Sequence, residues 1–347
     1  MKQIETNDFN QIVLLIEEAK NRAYQKVNEE LVLLYFNVGK IVSLKVASGS
    51  WGDNTVDSLA TFIETRYAGL KGFNRRGLYR MKQFYETYTA PGFMSPLVTQ
   101  IGKSEAETIQ FVTTLVTQIS WTHHLLILSK TKTPEEKLFY MHQCINDNLS
   151  KRELERQLNS ATFERTVLAS KKVSPAISHL PQNLFKDPYI FEFLDLPTAY
   201  SERDLEKAFV LNLQKFILEI GKGFTYLGNQ YRLQVGNKDY HTDLLFYHRD
   251  LQCLVLFELK IQEFEPEFLG KLNFYLEALD RNVKRPHENP SIGVLLCKGK
   301  DIVVVEYAMA RNTSPAIIAD YETKLIPKNV LANKLHQLVE QLSSKED

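Results

Sequence analysis

The apolar positions of this chain follow a helical period first and a strand period later. From Phe9 to Phe36 they recur at helical spacing, at Ile12, Leu15, Ile16, Ala19, Ala23, Val27, Leu31, Leu34 and Tyr35, with Gly39 and Gly49 appearing only afterwards. The segment WGDNTVDSLATFIETRYAGLKGFNRRGLYRMKQFYETY predicts a helix from about Thr55 to Tyr67, a glycine-containing turn, and a second helix from about Asn74 to Tyr88. On that second helix Leu78, Met81, Phe84 and Tyr85 make a core side, while Arg75, Arg76, Tyr79, Arg80 and Gln83 lie elsewhere. MSPLVTQIGKSEAETIQFVTTLVTQ reads as a connection, and SWTHHLLILSK opens another helix with Ser120 as its cap. Helices follow from Pro134 to about Asn146 and from Lys151 to about Ser160.

Between Ser170 and Pro197 the pattern is broken by Pro175, Pro181, Pro188 and Pro197, although Tyr189 to Leu194 is apolar enough to dock on a domain. Beyond it, SERD caps a helix from about Glu202 to Ile220 that stops at Gly221. FTYLGNQYRLQV, YHTDLLFYHR and LQCLVLFELK then read as three strands, Glu267 to Arg281 as a helix, and SIGVLLCKG and DIVVVEYAM as two more strands. The expected organisation is an all-helical domain at 1–168, a proline-containing connection at 169–200, and a mixed α/β domain at 201–347.

Composition refines this picture. With 44% hydrophobic and 24% charged residues the chain reads as soluble and globular, long enough for two cores. The N-terminus lacks a signal-peptide core and no stretch reaches about 18 uncharged apolar residues, so a cytoplasmic protein without membrane contact is expected. Cys144, Cys253 and Cys297 lack metal-ligand spacing and read as buried, reduced thiols. Net charge is zero, so affinity for phosphates must come from local patches. One such patch runs from Leu70 to Tyr85, with Lys71, Arg75, Arg76, Arg80 and Lys82 and no acidic residue. Its two helices around a turn fit either a DNA-contacting helix-turn-helix or the solvated face of a bundle. His123 and His124 point about 100° apart on a helix and read as structural.

The charges in HTDLLFYHRDLQCLVLFELK need an explanation, because strands apolar on both faces do not carry charge idly. A two-residue turn at Arg249 and Asp250 sets Asp243 opposite Leu256, and places Asp243, Leu256, Glu258 and Lys260 on one face. A loop one residue longer would put Glu258 on the opposite face. Two carboxylates there suit Mg²⁺ or Mn²⁺, and Lys260 could orient a water and offset phosphate charge, which is the equipment for phosphodiester hydrolysis. On residue types alone, a surface ion pair between Glu258 and Lys260 with Asp243 as a strand-start cap is the more ordinary reading, since Asp…Glu-X-Lys is a short and degenerate pattern.

From KDPYIFEFLDL through FTYLGNQYRLQV, YHTDLLFYHR, LVLFELK and ENPSIGVLLCKGK to VVEYAM, the chain closely resembles the C-terminal domain of the YhcG-like bacterial proteins, assigned to the PD-(D/E)XK nuclease superfamily. VNEELVLLYFNVGKIV, WGDNTVDSLA, KGFNRRGLYRMKQFY and ISWTHHLLIL extend the resemblance over nearly the whole chain. It implies a restriction-endonuclease-like, Mg²⁺- or Mn²⁺-dependent core in which Asp243, Glu258 and Lys260 match the motif. It also implies a metal-supporting carboxylate on the preceding helix, Glu206 or alternatively Glu219, and matches Gln230 to a family glutamine. Thr242 stands where the motif name has proline. Lys271 stands where related nucleases carry the glutamine of a Gln-X-X-X-Tyr motif, four residues before Tyr275 and on the same helix face.

These readings together imply a metal-dependent DNA endonuclease. In it Asp243, Glu258 and Glu206 hold metal, Lys260 and Gln230 serve the reaction, and Arg75, Arg76, Arg80, Lys82, Lys271 and Tyr275 contact DNA. The rival is a non-catalytic DNA-binding or assembly subunit of a defence or recombination complex. A homodimer is expected if both strands of a duplex are cut.

Overall fold

The computed structural model describes residues 2–93, 112–169, 173–180 and 184–343. They fall into two compact units, Met1–Leu158 and Asn159–Asp347. The connection read at MSPLVTQIGKSEAETIQFVTTLVTQ lies mostly outside the described residues, apart from a helical stretch at 112–117.

The first unit is helical: α1 (Lys2–Ala47), α2 (Asp53–Arg66), α3 (Arg75–Thr89), α4 (Trp121–Lys130), α5 (Pro134–Asp147) and α6 (Lys151–Asn159). Its core gathers Tyr35, Val42, Val56, Phe73, Leu78 and Met81. Side-chain caps at Asn74, Ser120 and Thr133 fix the starts of α3, α4 and α5. The first helix runs on through Gly39 to Ala47. A Cβ at Gly39 would lie 2.0 Å from the Met81 carbonyl oxygen, so the missing side chain is what lets α1 and α3 touch. The N-terminal apolar repeat of α1 is exposed at Ile12, Leu15, Ile16 and Val27, and burial begins near Val32. His124 is buried, hydrogen-bonded by the Tyr88 hydroxyl and the Val116 carbonyl, and burial pushes its pKa down to about 3. It is a neutral core histidine.

The second unit contains α7 (Thr162–Ala169), β1 (Tyr189–Ile190), α8 (Glu202–Leu211), α9 (Leu213–Ile220), β2 (Phe224–Val235), β3 (Lys238–His248), β4 (Cys253–Leu259), α10 (Glu267–Asn282), β5 (Ile292–Cys297), α11 (Ile302–Met309), β6 (Ala316–Glu322) and α12 (Lys328–Ser343). One sheet has the order β1-β6-β5-β4-β3-β2. Strands β2, β3 and β4 form an antiparallel meander, and β4, β5, β6 and β1 run parallel. Leu205, Phe209, Phe216 and Ile220 of α8 and α9 cover one face against Leu244, Phe246, Val255 and Phe257. Leu269, Leu272, Leu276 and Leu279 of α10 and Val305 and Met309 of α11 cover the other against Leu245, Leu254 and Leu256. Both faces of β4 are therefore dry. The described cysteines are free and buried. Among the described residues no helix is long and apolar enough to cross a membrane.

Three expectations change. DIVVVEYAM is not a strand. Asp301 caps it by accepting from the Val303 and Val304 amides, and Val305 and Met309, four apart, pack beneath a helix whose outer side exposes Ile302, Val303 and Tyr307. That helix is the crossover that parallel β5 and β6 require, and β6 itself, AIIADYE, was not among the expected strands. The helix expected from Glu202 to Ile220 is broken at Asn212, which closes α8. The described part of the proline-containing stretch is built into the second unit, for Val173 bridges Ile317 and Tyr189 pairs with Tyr321.

Replacing Gly39 with alanine should lower the stability of the helical unit by about 1–3 kcal/mol, since a backbone carbonyl must move to admit the methyl. Both tryptophans, Trp51 and Trp121, lie in that unit, so thermal unfolding followed by tryptophan fluorescence reads it selectively; an unchanged midpoint would contradict the tight crossing.

Candidate active site

The site is built on the hairpin of β3 and β4. Its loop is not the two-residue turn expected at Arg249 and Asp250, because the strands close at His248 and Cys253 with residues 249–252 between them. Gln252 takes a φ of 50°, and the His248 imidazole accepts from the Leu251 amide. The loop is longer by two residues, an even number, so every side chain keeps its expected face. Leu245 pairs with Leu256. Asp243 and Glu258, each two residues further along its strand, therefore lie on the α10 side of the sheet. The Leu259 amide donates to Asp243 Oδ2 at 2.8 Å, tying the carboxylate of one strand to the backbone beside Glu258 on the other.

Glu258 is 0% exposed. Its Oε1 accepts from Lys271 Nζ at 2.6 Å and from Lys260 Nζ at 3.4 Å. Its Oε2 is buried without a hydrogen-bond partner. Lys260 is itself nearly buried and also donates to Glu202 at 3.1 and 3.3 Å and to the Leu259 carbonyl at 2.9 Å. Its ammonium lies 5.6 Å from the centre of the Phe268 ring. Burial first, and then the adjacent Glu258 charge, push the Asp243 carboxyl up to about 7. Burial alone would lower Lys271, but its hydrogen bond to Glu258 and the charge behind it outweigh that and hold the ammonium above its usual range. Tyr275 sits one helical turn on, its ring centre 5.2 Å from Lys271 Nζ.

Other expected residues form a second group. Glu206 accepts from Asn229 Nδ2 at 2.7 Å and from Gln230 Nε2 at 2.6 Å, one amide to each oxygen. Gln230 lies between the partners of Leu244 and Thr242, opposite Asp243, and holds the left-handed φ of 49° that a non-glycine residue adopts only under constraint. The sequence expectation groups Glu206 with Asp243 and Glu258 as a metal ligand, and here it is seen holding two side-chain amides. Both its oxygens are engaged by amides, and among the described residues no three His, Cys, Asp or Glu side chains form a metal-holding group. The alternative, Glu219, is wholly buried and paired with Arg165 and Lys186, and accepts from the Ile190 amide at 2.9 Å. It ties β1 to α9. Glu202 was missed because it reads as part of the SERD cap. It lies four residues before Glu206, on the same face of α8, and it is Glu202 that reaches Lys260.

In the helical unit Arg75 pairs with Asp57 at 3.3 Å and Lys82 with Glu86 at 2.9 Å. Arg76 is exposed and Arg80 half-buried one turn on, beside a cavity of about 290 Å³ also lined by Gln83, Thr122, Ser129 and Lys151.

Comparison with known proteins fits this division. Residues 11–165 match the DUF1016 N-terminal domain and residues 182–338 match the YhcG PDDEXK nuclease domain. Over 346 residues the chain is 30% identical to "Putative nuclease YhcG" of Escherichia coli (strain K12), covering 93% of this chain and 92% of that one. The chain belongs to the YhcG family. Its second unit thus has the fold of the YhcG PDDEXK nuclease domain, with Asp243 on β3, Glu258 on β4 and Lys260 just past the end of β4. Partial likenesses exist among solved structures. A repair endonuclease from Pyrococcus abyssi aligns over 38% of this chain and 50% of its own at 14% identity and a TM-score of 0.26. The EndoMS–dsDNA2 complex aligns over 38% and 49% at 16% identity and a TM-score of 0.27.

The raised Asp243 carboxyl has a signed consequence in the metal-free YhcG-family protein. A carboxyl raised in the folded state contributes stability below the unfolded value near 4 and loses it as pH climbs through about 7. Asp243→Asn removes that loss. Calorimetry without metal should find the variant more stable than the parent at pH 8, with the difference shrinking toward zero by pH 4; a difference independent of pH would contradict the burial of this charge.

Proposed function

We propose that this protein is a divalent-metal-dependent DNA endonuclease, hydrolysing phosphodiester bonds at Asp243, Glu258 and Lys260. The observation that carries the reading is the buried acidic pair with one unsatisfied oxygen, Glu258 Oε2, on the adjacent strands β3 and β4 of a PDDEXK domain. An isolated acceptor on a buried carboxylate is expensive unless a cation or donor joins it. Hard carboxylate oxygens fit Mg²⁺ or Mn²⁺, so the residues present suit the ion, and Asp243 and Glu258 would hold it. When bound, it would supply Lewis-acid stabilisation of the charge that develops on a phosphodiester.

The remaining work falls to the chain. Lys260, fixed by Glu202 and the Leu259 carbonyl, presents a localised positive charge that orients a water and offsets phosphate charge. Glu206 acts at one remove, holding Gln230 and Asn229 on the strand opposite Asp243. In the helical unit we assign the DNA backbone to Arg76 and Arg80, because Arg75 and Lys82 have acidic neighbours. One observation favours the rival reading of a non-catalytic DNA-binding or assembly subunit: two lysines already neutralise Glu258.

Labelled duplex, single-stranded and branched DNA incubated with the full chain separates these readings. Cutting should require Mg²⁺ or Mn²⁺ and fall about 100-fold or more in Asp243→Asn and in Lys260→Met. Binding without cutting under either metal would hand the case to the rival. Arg76→Ala and Arg80→Ala should each weaken DNA binding alike across sequences and reduce the salt slope by about one; an unchanged slope would remove α3 from the interface.

A further inference from the structure

Lys271 stands over the acidic pair from the solvent side. Its ammonium is 2.6 Å from Glu258 Oε1, the tightest contact that carboxylate makes, against 3.4 Å for Lys260. The two lysines differ in freedom. Lys260 is 8% exposed and shares its donors among Glu202, Glu258 and the Leu259 carbonyl, so it has nowhere to go. Lys271 is 47% exposed, on a flexible stem that leads from α10 into water. Helix α10 is pressed onto the sheet at this point, because a Cβ at Gly293 of β5 would lie 2.8 Å from the Leu272 side chain, the residue next to Lys271. The helix is held, and the half-exposed side chain has open solvent beside it into which it can swing.

We propose that Lys271 is the resident counter-ion of the acidic pair, and that a divalent cation occupies the site only by displacing its ammonium from Glu258. This rests on the reading of Asp243 and Glu258 as the metal-holding pair. An ammonium 2.6 Å from Glu258 repels a divalent cation at the same carboxylate more strongly than Lys260 does at 3.4 Å, since burial weakens solvent screening there. Their binding is therefore competitive, and metal affinity is reduced by the free energy needed to break the Lys271 contact. The displaced ammonium remains tethered at the mouth of the site, where a substrate phosphate is the next acceptor within its chemistry. A glutamine at this position would carry no charge to expel, so the lysine makes loading of this site more dependent on metal concentration.

Direct titration of the full chain with Mn²⁺ by calorimetry at pH 8, without DNA, tests this independently of cleavage. Lys271→Met offers no oxygen to a metal, so any gain in affinity must come from the lost competitor; Lys271→Gln is a second variant of similar length. Both should bind Mn²⁺ at least about tenfold more tightly than the parent, and both should show a larger rise in melting temperature on saturation. Asp243→Asn should lose binding. If the parent binds Mn²⁺ in an Asp243-dependent way and both Lys271 variants bind no tighter, the counter-ion inference is overturned while the metal site stands. If the parent and both Lys271 variants fail to bind, both are overturned.

Discussion

Strands β3 and β4 are apolar on both faces, and that fixes where the charged residues go. With Leu244, Phe246, Val255 and Phe257 packed against α8 and α9, and Leu245, Leu254 and Leu256 against α10, a slip of one residue would turn each set toward the wrong layer. The register cannot drift, and Asp243 and Glu258 are held on one side of the sheet as a consequence. The hydrogen bond from the Leu259 amide to Asp243 adds a local lock at the point where the carboxylates meet. The chemistry of the site is thus a by-product of hydrophobic packing on either side of it.

Electrostatics then works against that packing. Burial first, and then repulsion from the neighbouring Glu258 charge, raise Asp243 toward neutrality, and lysines gather around Glu258 from the end of β4 and from α10. The compensation is incomplete, as the unpartnered Glu258 Oε2 records. A site so arranged keeps a buried acceptor unsatisfied, and under the proposed function that is what would draw a cation to it. Around it, the Glu202–Lys260 pair and the Glu206–Gln230 contact attach α8 to the same centre from two successive turns. A distortion of α8 would therefore reach both groups at once.

Much of this was legible in the sequence because it rests on period and parity. The helical unit, the meander, the helix at Glu267 and the face shared by Asp243 and Glu258 all follow from spacing, and the loop error was harmless because it was even. What could not be read depended on tertiary partners. DIVVVEYAM has a β-branched run, yet the Asp301 cap and the demand for a crossover between parallel strands make it a helix. Nothing local to Gly39 shows why a glycine stands there until Met81 lies against it. Glu219 looks like a candidate ligand until Arg165 and Lys186, distant in sequence, are seen to consume it. Glu202 carried no signal beyond its cap, because its partner Lys260 is 58 residues away.

The central claim is that Asp243 and Glu258 form one cation site on the buried hairpin. Anomalous diffraction from crystals of the full chain grown with saturating Mn²⁺ tests it most directly. The account predicts a manganese peak in contact with both carboxylates and Lys271 Nζ withdrawn from Glu258. Glu258 still held by Lys271 with no peak beside it, or manganese bound only elsewhere, would contradict it.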